Sequence, residues 1–319
     1  MAGLATPMAL RVAATLRLAD LLAEGGASGA QLAARTGTSA AAMTRLYDHL
    51  VRIEVLEFAD GHYKTTALGD LLRASPDNDL LSELDVNSAI GRAELAFTEL
   101  LHTVTTGQAG YPRRYGKDFW ADLDATPALQ RSFYAKMTHR FREHAPQIAR
   151  RFDWSRFGTI VDVGGGHGTL LSAILRIHPK VQGQLIDLAV PASQAAQQFA
   201  AAGLHRRAHA VTGSFFDPLP SGADAYLLSD ILHDWDDEHA HLILDRCAQA
   251  AGPTGRVLVI ESVRGLGADT AIDLAMLVFF GGHERSVDEL TILAGAHGLT
   301  RKATTQVGHD RTLVEFAAT

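Results

Sequence analysis

The sequence predicts an α/β protein, in which a smaller, mostly α domain of the winged-helix type precedes a doubly wound, mostly parallel sheet. Three observations support this fold class. From Thr159 onward, short apolar runs alternate with helical stretches, as in a buried parallel sheet. A glycine-rich segment follows the first of these runs, at the strand-to-helix turn where such folds bind nucleotides. Before residue 73, the predicted order is helix, helix, helix and hairpin, which is the winged-helix order.

The composition is that of a globular protein with one large and one small unit. The chain has 319 residues, of which 47% are hydrophobic and 20% are charged. Its net charge of −7 argues against nucleic acid as the main ligand, because phosphate binding relies on a basic face. No run reaches the roughly 18 uncharged apolar residues that a membrane span needs, so no membrane partner is expected.

The amino terminus and the single cysteine indicate a cytoplasmic protein. Arg11, Arg17 and Asp20 recur at helical spacing within the first apolar stretch, which favours an amphipathic helix over a signal peptide. Cys247 is the only cysteine, so internal disulfides and cysteine-based zinc sites are excluded. This usage suits a reducing compartment.

The N-terminal residues resemble a helix-turn-helix followed by a wing. Ser39 is a suitable N-cap, and the helix after it places four apolar residues on one face: Met43, Leu46, Leu50 and Ile53. Asp60-Gly61 joins two β-like runs as a favoured hairpin turn. DNA binding is one interpretation and a reused scaffold is the other. Residues 1–73 hold seven basic and seven acidic side chains, which favours the scaffold.

Five apolar runs predict the strands of the parallel sheet, and helices lie between most of them. The runs are TIVDV, VQGQLIDL, AHAVTGSF, DAYLLSDI and GRVLVIESV. In the tail, two β-like runs flank Gly308-His309-Asp310 without a helix between them, which predicts an antiparallel pair that closes the sheet. We place the domain boundary near residue 100, with a helical, aromatic-rich segment over residues 101–152.

The segment VDVGGGHGTL predicts a ligand at the first strand-to-helix turn. Gly164, Gly166 and Gly168 leave the backbone bare, and Asp162 precedes them. The strict dinucleotide pattern fails because a threonine stands where its third glycine would be, which disfavours a NAD-dependent oxidoreductase. Asp187 ends the next predicted strand, where a carboxylate could hold two ribose hydroxyls. A tight packing turn is the alternative for the glycines alone.

Three motifs together resemble the small-molecule O-methyltransferases that join a winged-helix dimerisation domain to a Rossmann-like domain binding S-adenosylmethionine. They are VDVGGGHG, GSFFDPLPSGADAYLLSDILHDWDDEHA and FFGGHERS, and the likeness covers essentially the whole chain. The family includes plant caffeate and chalcone enzymes and bacterial polyketide-tailoring enzymes. The resemblance implies a class I methyltransferase sheet of seven strands, and a homodimer formed through the N-terminal domain.

The resemblance also implies which residues hold the cofactor, whose product is S-adenosylhomocysteine. The three glycines would cradle its methionine part and Asp187 its ribose, with Asp162 beside them. Ser214 and Phe215 match a segment that contacts adenine, although serine replaces the usual aspartate. Ser229 falls where many relatives have lysine, and Trp235 would flank the ring system. Alanine at 189 departs from the family's Asp-Leu-Pro.

The resemblance makes His233 the catalytic base that takes a proton from an acceptor hydroxyl. A phenol has a pKa near about 10 and an imidazole near about 6.5, so the transfer is uphill by roughly 5 kcal/mol. A carboxylate hydrogen-bonded to the ring nitrogen that does not face the acceptor would favour the imidazolium. Glu261 and Glu284 match family positions for this acid, although Glu284 could instead form a surface salt bridge with Arg285.

The other acids around His233 have two interpretations. Asp234, Asp236, Asp237 and Glu238 precede a predicted helix, where caps and first-turn carboxylates suit the helix dipole. A divalent-metal cluster is the alternative. The winged-helix O-methyltransferase family that this sequence resembles uses no metal ion, whereas the smaller catechol methyltransferases use a divalent ion. No metal is therefore expected.

The resemblance places an acceptor pocket between the helical segment and AIDLAMLVFFGG. Its predicted lining is Phe133, Met137, Met276, Phe279 and Phe280, each of which could equally belong to the core. An aromatic lining favours a flat aromatic acceptor, with a phenolic hydroxyl as the methylated group. Other chemistry on the same fold stays open: N-methylation, or decarboxylation or hydroxylation assisted by the cofactor. A winged-helix regulator that senses a small molecule is the alternative from another class.

Overall fold

The computed structural model describes residues 3–75 and 78–318, which divide into two compact units. Unit 1 comprises Met1–Leu95 and Trp120–Lys136, and unit 2 comprises Ala96–Phe119 and Met137–Thr319. Across the described ranges, no helix combines the length and the apolar character that a bilayer crossing requires.

Unit 1 begins with short helices and a two-stranded wing. The helices are α1 (Ala5–Thr15), α2 (Leu18–Leu21), α3 (Gly29–Thr36), α4 (Ala40–Arg52), α5 (Ala67–Asp70), α6 (Leu80–Leu84) and α7 (Ala89–Glu94). The wing pairs β1 (Leu56–Ala59) with β2 (His62–Thr65) antiparallel, as the turn at Asp60-Gly61 predicts. Both turn residues have positive φ, 53° and 77°, the conformation that this hairpin turn needs.

The helix-turn-helix prediction is confirmed by α3, α4 and the turn at Gly37 between them. Ser28 and Gln31 form a capping box at the start of α3, and Gly37 ends that helix with a φ of 65°. Ser39 occupies the N-cap position of α4. Met43 and Leu50 are buried on its inner face, and Tyr47 is fully buried beside them.

Four helices connect this region to the sheet. They are α8 (Leu100–Thr106), α9 (Gly110–Tyr115), α10 (Phe119–Ala125) and α11 (Pro127–Arg151). The last of these is 25 residues long, and its residues from Met137 onward belong to unit 2.

Unit 2 is built on a seven-stranded sheet whose order is β5-β4-β3-β6-β7-β9-β8. Its strands are β3 (Thr159–Val163), β4 (Gln182–Asp187), β5 (Ala208–Thr212), β6 (Ala225–Ser229), β7 (Arg256–Glu261), β8 (Leu299–Gln306) and β9 (Thr312–Ala318). All five predicted runs form the parallel strands, and the tail forms the predicted antiparallel pair. The strand β9 also pairs antiparallel with β7, so it lies inside the sheet.

Helices cover both faces of this sheet, as the doubly wound prediction requires. They are α12 (Thr169–Ile177), α13 (Ala189–Ala201), α14 (Asp237–Ala251) and α16 (Val287–Gly295), while α15 (Thr270–Phe279) packs against α8 and α9. Two apolar clusters pack on either side of the strands, and alternate residues of β6 belong to each: Leu227 to one cluster, Tyr226 and Leu228 to the other. The carboxyl ends of β3, β4, β6 and β7 therefore meet at one edge, where a site is expected.

Candidate active site

His233 lies in a short 3₁₀ turn, Leu232–Asp234, just beyond the carboxyl end of β6. The chain turns sharply at Asp230, which adopts a φ of 51°. This left-handed conformation is uncommon for a residue other than glycine and is found mainly where the surrounding structure fixes it. The imidazole is buried, with 4% of the residue exposed.

Three carboxylates surround the imidazole of His233. Glu284 Oε1 is 3.0 Å from Nδ1 and forms a hydrogen bond with it. Glu261 Oε2 is 3.6 Å from the same nitrogen. Asp234 Oδ1 is 3.4 Å from Nε2, on the opposite side of the ring. The structure thus brings together the three residues that the sequence predicts as catalytic, and it adds Asp234.

These acids decide the protonation of the ring. Burial alone would lower the pKa of His233, because it penalises the imidazolium. The charges of Glu261 and Asp234, and the hydrogen bond to Glu284, outweigh burial and raise the pKa of His233 to about 10. Burial raises the pKa of the neighbouring carboxyls as well, that of Glu261 to about 7 and that of Asp234 to about 6.

Glu261 also shapes the turn that carries His233. Its Oε1 accepts hydrogen bonds from the backbone N–H groups of Ile231 and Leu232, at 3.2 and 2.9 Å. One carboxylate therefore fixes the backbone before the imidazole and contributes charge to the ring.

Arg285 holds the other end of the same turn. Its guanidinium donates to the carbonyl oxygens of Leu232 and Trp235, at 2.6 and 2.8 Å, and pairs with Asp237. The surface salt bridge between Glu284 and Arg285 is therefore not formed. Glu284 is fully buried, and its backbone N–H donates to Asp273 on α15.

The interpretation of the remaining acids holds for three of them and is wrong for Asp234. Asp236 is the N-cap of α14 and accepts from the N–H of His239, while Asp237 and Glu238 lie in the first turn. Asp234 instead lies in the preceding 3₁₀ turn, where the chain has not yet entered the helix, and its side chain faces the imidazole.

Asp230, His233 and Glu261 lie close enough to share a metal ion, since one ligand atom of each falls within 4.8 Å of the others. Each of them is already engaged within the described part of the chain. Arg311 pairs with Asp230, Glu284 bonds His233, and two backbone N–H groups bond Glu261. The three residues therefore belong to a network of ion pairs and hydrogen bonds.

The glycine-rich turn leaves bare backbone beside two carboxylates. Gly164, Gly166 and Gly168 all have positive φ, and a Cβ added at Gly166 would meet nothing within 4 Å. The N–H of Gly166 donates to Asp187 at 2.8 Å. Asp162 is buried with one oxygen unbonded among the described residues, and burial together with the charge of Asp187 raises its pKa to about 7.

Aromatic rings lie beside this turn. Trp235 packs edge-on against Phe215 and Phe216, with ring centroids 5.9 and 4.9 Å apart. Ser214 accepts from the N–H of Phe216, and Ser229 ends β6 with a buried hydroxyl that has no hydrogen-bond partner in the described chain. Sequence reasoning missed Phe216, although it directly follows the predicted Phe215. The bare backbone, the unpartnered oxygens and the rings fit S-adenosylmethionine.

Three predicted pocket residues lie together in unit 2. Met276 and Phe279 are buried on α15, and Phe280 follows at its end. Phe279 packs against Phe97 and Phe280 against Phe119, with centroids 5.6 and 4.8 Å apart.

The other two predicted pocket residues lie on α11. Met137 is a half-buried residue of unit 2. Phe133 lies in unit 1, where it packs edge-on against Trp120 at 5.6 Å. Their pocket role stays a prediction.

Two family models match the chain. Residues 97–300 match the O-methyltransferase domain, and residues 1–75 match the O-methyltransferase dimerisation domain. Among curated relatives, a 2,7-dihydroxy-5-methyl-1-naphthoate 7-O-methyltransferase of Streptomyces carzinostaticus is 48% identical and the match covers 100% of this chain and 96% of the relative. The aclacinomycin 10-hydroxylase RdmB of Streptomyces purpurascens is 44% identical over 99% of this chain and 88% of its own.

A solved structure also matches the chain over its whole length. An O-methyltransferase (NcsB1) from neocarzinostatin biosynthesis, in complex with S-adenosylmethionine and 2-hydroxy-5-methyl naphthoic acid, superposes with a TM-score of 0.94 at 48% identity, covering 100% of this chain and 97% of that one.

Proposed function

The chain belongs to the O-methyltransferase family, and we propose that it uses His233 as the general base that removes the proton of a phenolic hydroxyl. The protein is an S-adenosylmethionine-dependent enzyme that methylates a hydroxyl of an aromatic secondary metabolite, and residues 1–75 form its dimerisation domain.

The burial of His233 among three carboxylates, whose oxygens lie 3.0, 3.4 and 3.6 Å from its ring nitrogens, is the observation that carries this proposal. A phenol has a pKa of about 10 and an unperturbed imidazole about 6.5, a mismatch worth roughly 5 kcal/mol. The surrounding carboxylates raise the pKa of His233 to about 10, which removes that mismatch. Proton transfer to the imidazole is then close to balanced, and the oxygen gains negative charge before it attacks.

The hydrogen bond to Glu284 assigns the two nitrogens their tasks. With Glu284 as acceptor, Nδ1 keeps its proton, and Nε2 is the nitrogen that exchanges a proton with the acceptor hydroxyl. Asp234 lies on the Nε2 side, and we infer that it orients the hydroxyl. Glu261 stabilises the imidazolium through its charge, since its oxygen lies 3.6 Å from Nδ1.

The cofactor supplies a methyl group on a positively charged sulfonium sulfur. We assign its methionine part to the backbone of Gly164, Gly166 and Gly168 and its ribose to Asp187, whose carboxylate stands beside that loop. Ser214, Phe215, Ser229 and Trp235 would contact adenine. The protein's contribution to the rate is then to hold the reacting oxygen in line with the methyl group and to keep water away from it.

We propose a hydroxylated naphthoic or benzoic acid as the acceptor. Two relatives act on such acids: the naphthoate enzyme and, at 34% identity, a 3-amino-4-hydroxybenzoate 4-O-methyltransferase of Streptomyces cremeus. The rings of Phe279 and Phe280 and the thioether of Met276 give α15 an apolar face that suits a flat ring system.

The test is methylation of 2,7-dihydroxy-5-methyl-1-naphthoate by the wild type and by His233→Gln. The variant should lose about 10²- to 10⁴-fold in kcat, which is the usual contribution of a general base. Its affinity for S-adenosylhomocysteine, measured by calorimetry, should stay within threefold. Retention of activity in the variant would reject His233 as the base.

A second candidate activity is hydroxylation, because the 10-hydroxylase is 44% identical over 99% of this chain. It would require dioxygen as the oxidant and a two-electron donor, with the second oxygen atom leaving as water. Product mass separates the two reactions, because methylation adds 14 mass units and hydroxylation adds about 16. Formation of the heavier product, undiminished in His233→Gln, would favour hydroxylation. A product with only the methyl increment, lost in the variant, would exclude it for that acceptor.

A further inference from the structure

Asp230 stands at the centre of a buried ion-pair network next to the catalytic turn. It is 9% exposed and lies three residues before His233. Two arginines approach its carboxylate: Arg311, from the turn between β8 and β9, and Arg140, from α11.

Arg311 forms the closer of the two ion pairs with Asp230. Its Nε lies 3.0 Å from Oδ1, and its Nη2 donates to Oδ2 at 3.1 Å, so the guanidinium meets both oxygens. Of the two contacts, only that from Nη2 has hydrogen-bond geometry, while Nε and Oδ1 are buried without a hydrogen-bond partner among the described residues. Arg311 is 2% exposed and has no other acidic partner than Asp230 and Asp310 among the described residues. The Asp230–Arg311 pair is therefore neutral as a unit.

Arg140 has only one distant ion-pair partner among the described residues. Its closest acidic oxygen is Oδ2 of Asp230 at 3.6 Å, and it donates no hydrogen bond to any described residue. The side chain is only 21% exposed. A guanidinium has five N–H donors, and none of the Arg140 nitrogens is among the buried atoms without a hydrogen-bond partner, so solvent and a ligand can reach them. This residue is consequently prepared to bind an anion.

The position of Arg140 matches that of an acceptor near His233. Its charge is felt by Asp234, whose oxygen faces the Nε2 nitrogen of the catalytic imidazole, and by His144 one turn further along α11. Met137, a predicted pocket residue, lies three positions before Arg140, on the same side of the helix. An acceptor whose hydroxyl reaches His233 would therefore extend toward Arg140.

We propose that Arg140 binds the carboxylate of the acceptor and so determines specificity for hydroxylated aromatic acids. This inference rests on the proposed function, because it names the group of the acceptor that is recognised. The Asp230–Arg311 pair keeps Arg140 available for a ligand. Because Arg311 already pairs with the carboxylate of Asp230, that carboxylate attracts the guanidinium of Arg140 less strongly.

The experiment compares 2,7-dihydroxy-5-methyl-1-naphthoate with its 1-carboxamide, which has the same shape without the charge. Binding of each compound to the S-adenosylhomocysteine-loaded enzyme is measured by calorimetry, and methylation is measured separately. Wild type should bind the acid at least tenfold more tightly than the amide. Arg140→Gln should weaken binding of the acid about 10- to 100-fold and change that of the amide less than threefold, and Arg140→Lys should restore part of the preference.

Arg150→Gln is the matched control, since Arg150 is an exposed arginine of the same helix and should leave both affinities unchanged. Equal weakening for acid and amide in Arg140→Gln would show a structural role and overturn the proposal, as would a wild type that does not prefer the acid. If the acid binds in an Arg140-dependent way but is not methylated, the role of Arg140 in binding the carboxylate is supported. Only the proposed methylation of that acceptor is then rejected.

Discussion

Gly282 lies directly against His233: a Cβ at this glycine would stand 2.1 Å from the carbonyl oxygen of His233 and 2.6 Å from the carbonyl carbon of Asp234. These are backbone atoms, so they cannot rotate away as a side chain could. The glycine-rich segment before Glu284 thus packs its main chain on the main chain of the catalytic turn. Only a residue without a side chain permits this approach.

Gly282→Ala should therefore displace the catalytic turn. We expect a loss of at least 100-fold in kcat/KM, because misplacing a reacting group by about 1 Å can cost that much. Thermal unfolding monitored by circular dichroism should show a lower Tm as well. The matched control is Gly295→Ala at the end of α16, where an added Cβ meets nothing within 4 Å. Equal activity of the two variants would contradict the assigned contact.

Glu284→Gln should lower kcat about 10- to 100-fold. The amide keeps the size of the side chain but removes the charge that holds the proton on Nδ1 of His233. The pKa of His233 should then fall, so the pH profile of kcat/KM should shift toward lower pH while its maximum declines. Glu238→Gln, an exposed first-turn acid of α14, is the control. An unshifted profile for Glu284→Gln would show that this acid does not tune the imidazole.

The pH dependence of wild-type kcat/KM has a definite sign. The reactive complex holds either neutral His233 with a phenol or protonated His233 with a phenolate. Both forms have one proton fewer than protonated His233 with a phenol, which is the form that dominates below the pKa of His233. With the pKa of His233 raised to about 10, the rate should rise up to tenfold per pH unit from pH 7 toward 9. Initial rates in a constant-ionic-strength buffer series test this. A profile that is flat above pH 7 would place the pKa of the base near its ordinary value.

Stability should respond to pH in the opposite direction. The folded pKa of His233 is about 10 and the unfolded value about 6.5, so the native state binds the extra proton between these limits. The stability from this group is fully present below pH 6.5 and is lost as pH rises toward 10. The free energy of unfolding should fall by up to about 1.4 kcal/mol per pH unit from this one group. Urea titrations of His233→Gln at pH 7 and 9 should show a smaller drop than wild type.

Cofactor binding should release a proton near neutral pH. Burial and the charge of Asp187 raise the pKa of Asp162 to about 7, so part of the free enzyme holds a proton there. A positively charged ligand seated over the glycine turn favours the ionised carboxylate. Affinity for S-adenosylmethionine should therefore increase from pH 6 to pH 8. Calorimetry in buffers of different ionisation enthalpy counts the protons, and Asp162→Asn should abolish the release.

The sequence predicts those parts of the molecule that rest on local patterns. Short apolar runs separated by helical stretches located all five parallel strands, and Asp60-Gly61 located the wing hairpin. Both signals are local, because strand and turn preferences act over a few residues. The motifs around His233, Glu261 and Glu284 located the imidazole and its two acids, which the sheet brings together from β6, β7 and the loop after α15.

The parts that could not be predicted depend on contacts between distant segments. Arg311 pairs with Asp230 across 81 residues, and no local pattern marks either partner. Asp234 resembles its helix-capping neighbours in sequence, and only the 3₁₀ turn separates its role from theirs. The approach of Gly282 to the catalytic turn is a property of tertiary packing, which a single sequence does not display.

The position of β9 has a consequence for synthesis of the enzyme. This strand is synthesised after β8, yet it lies between β7 and β8 in the sheet, and the turn before it supplies Arg311. A nascent chain that has already made β7 but not β9 still exposes the edge of β7, and its Asp230 lacks Arg311. The growing chain must therefore shield the open edge of β7 from other chains until β9 has been made.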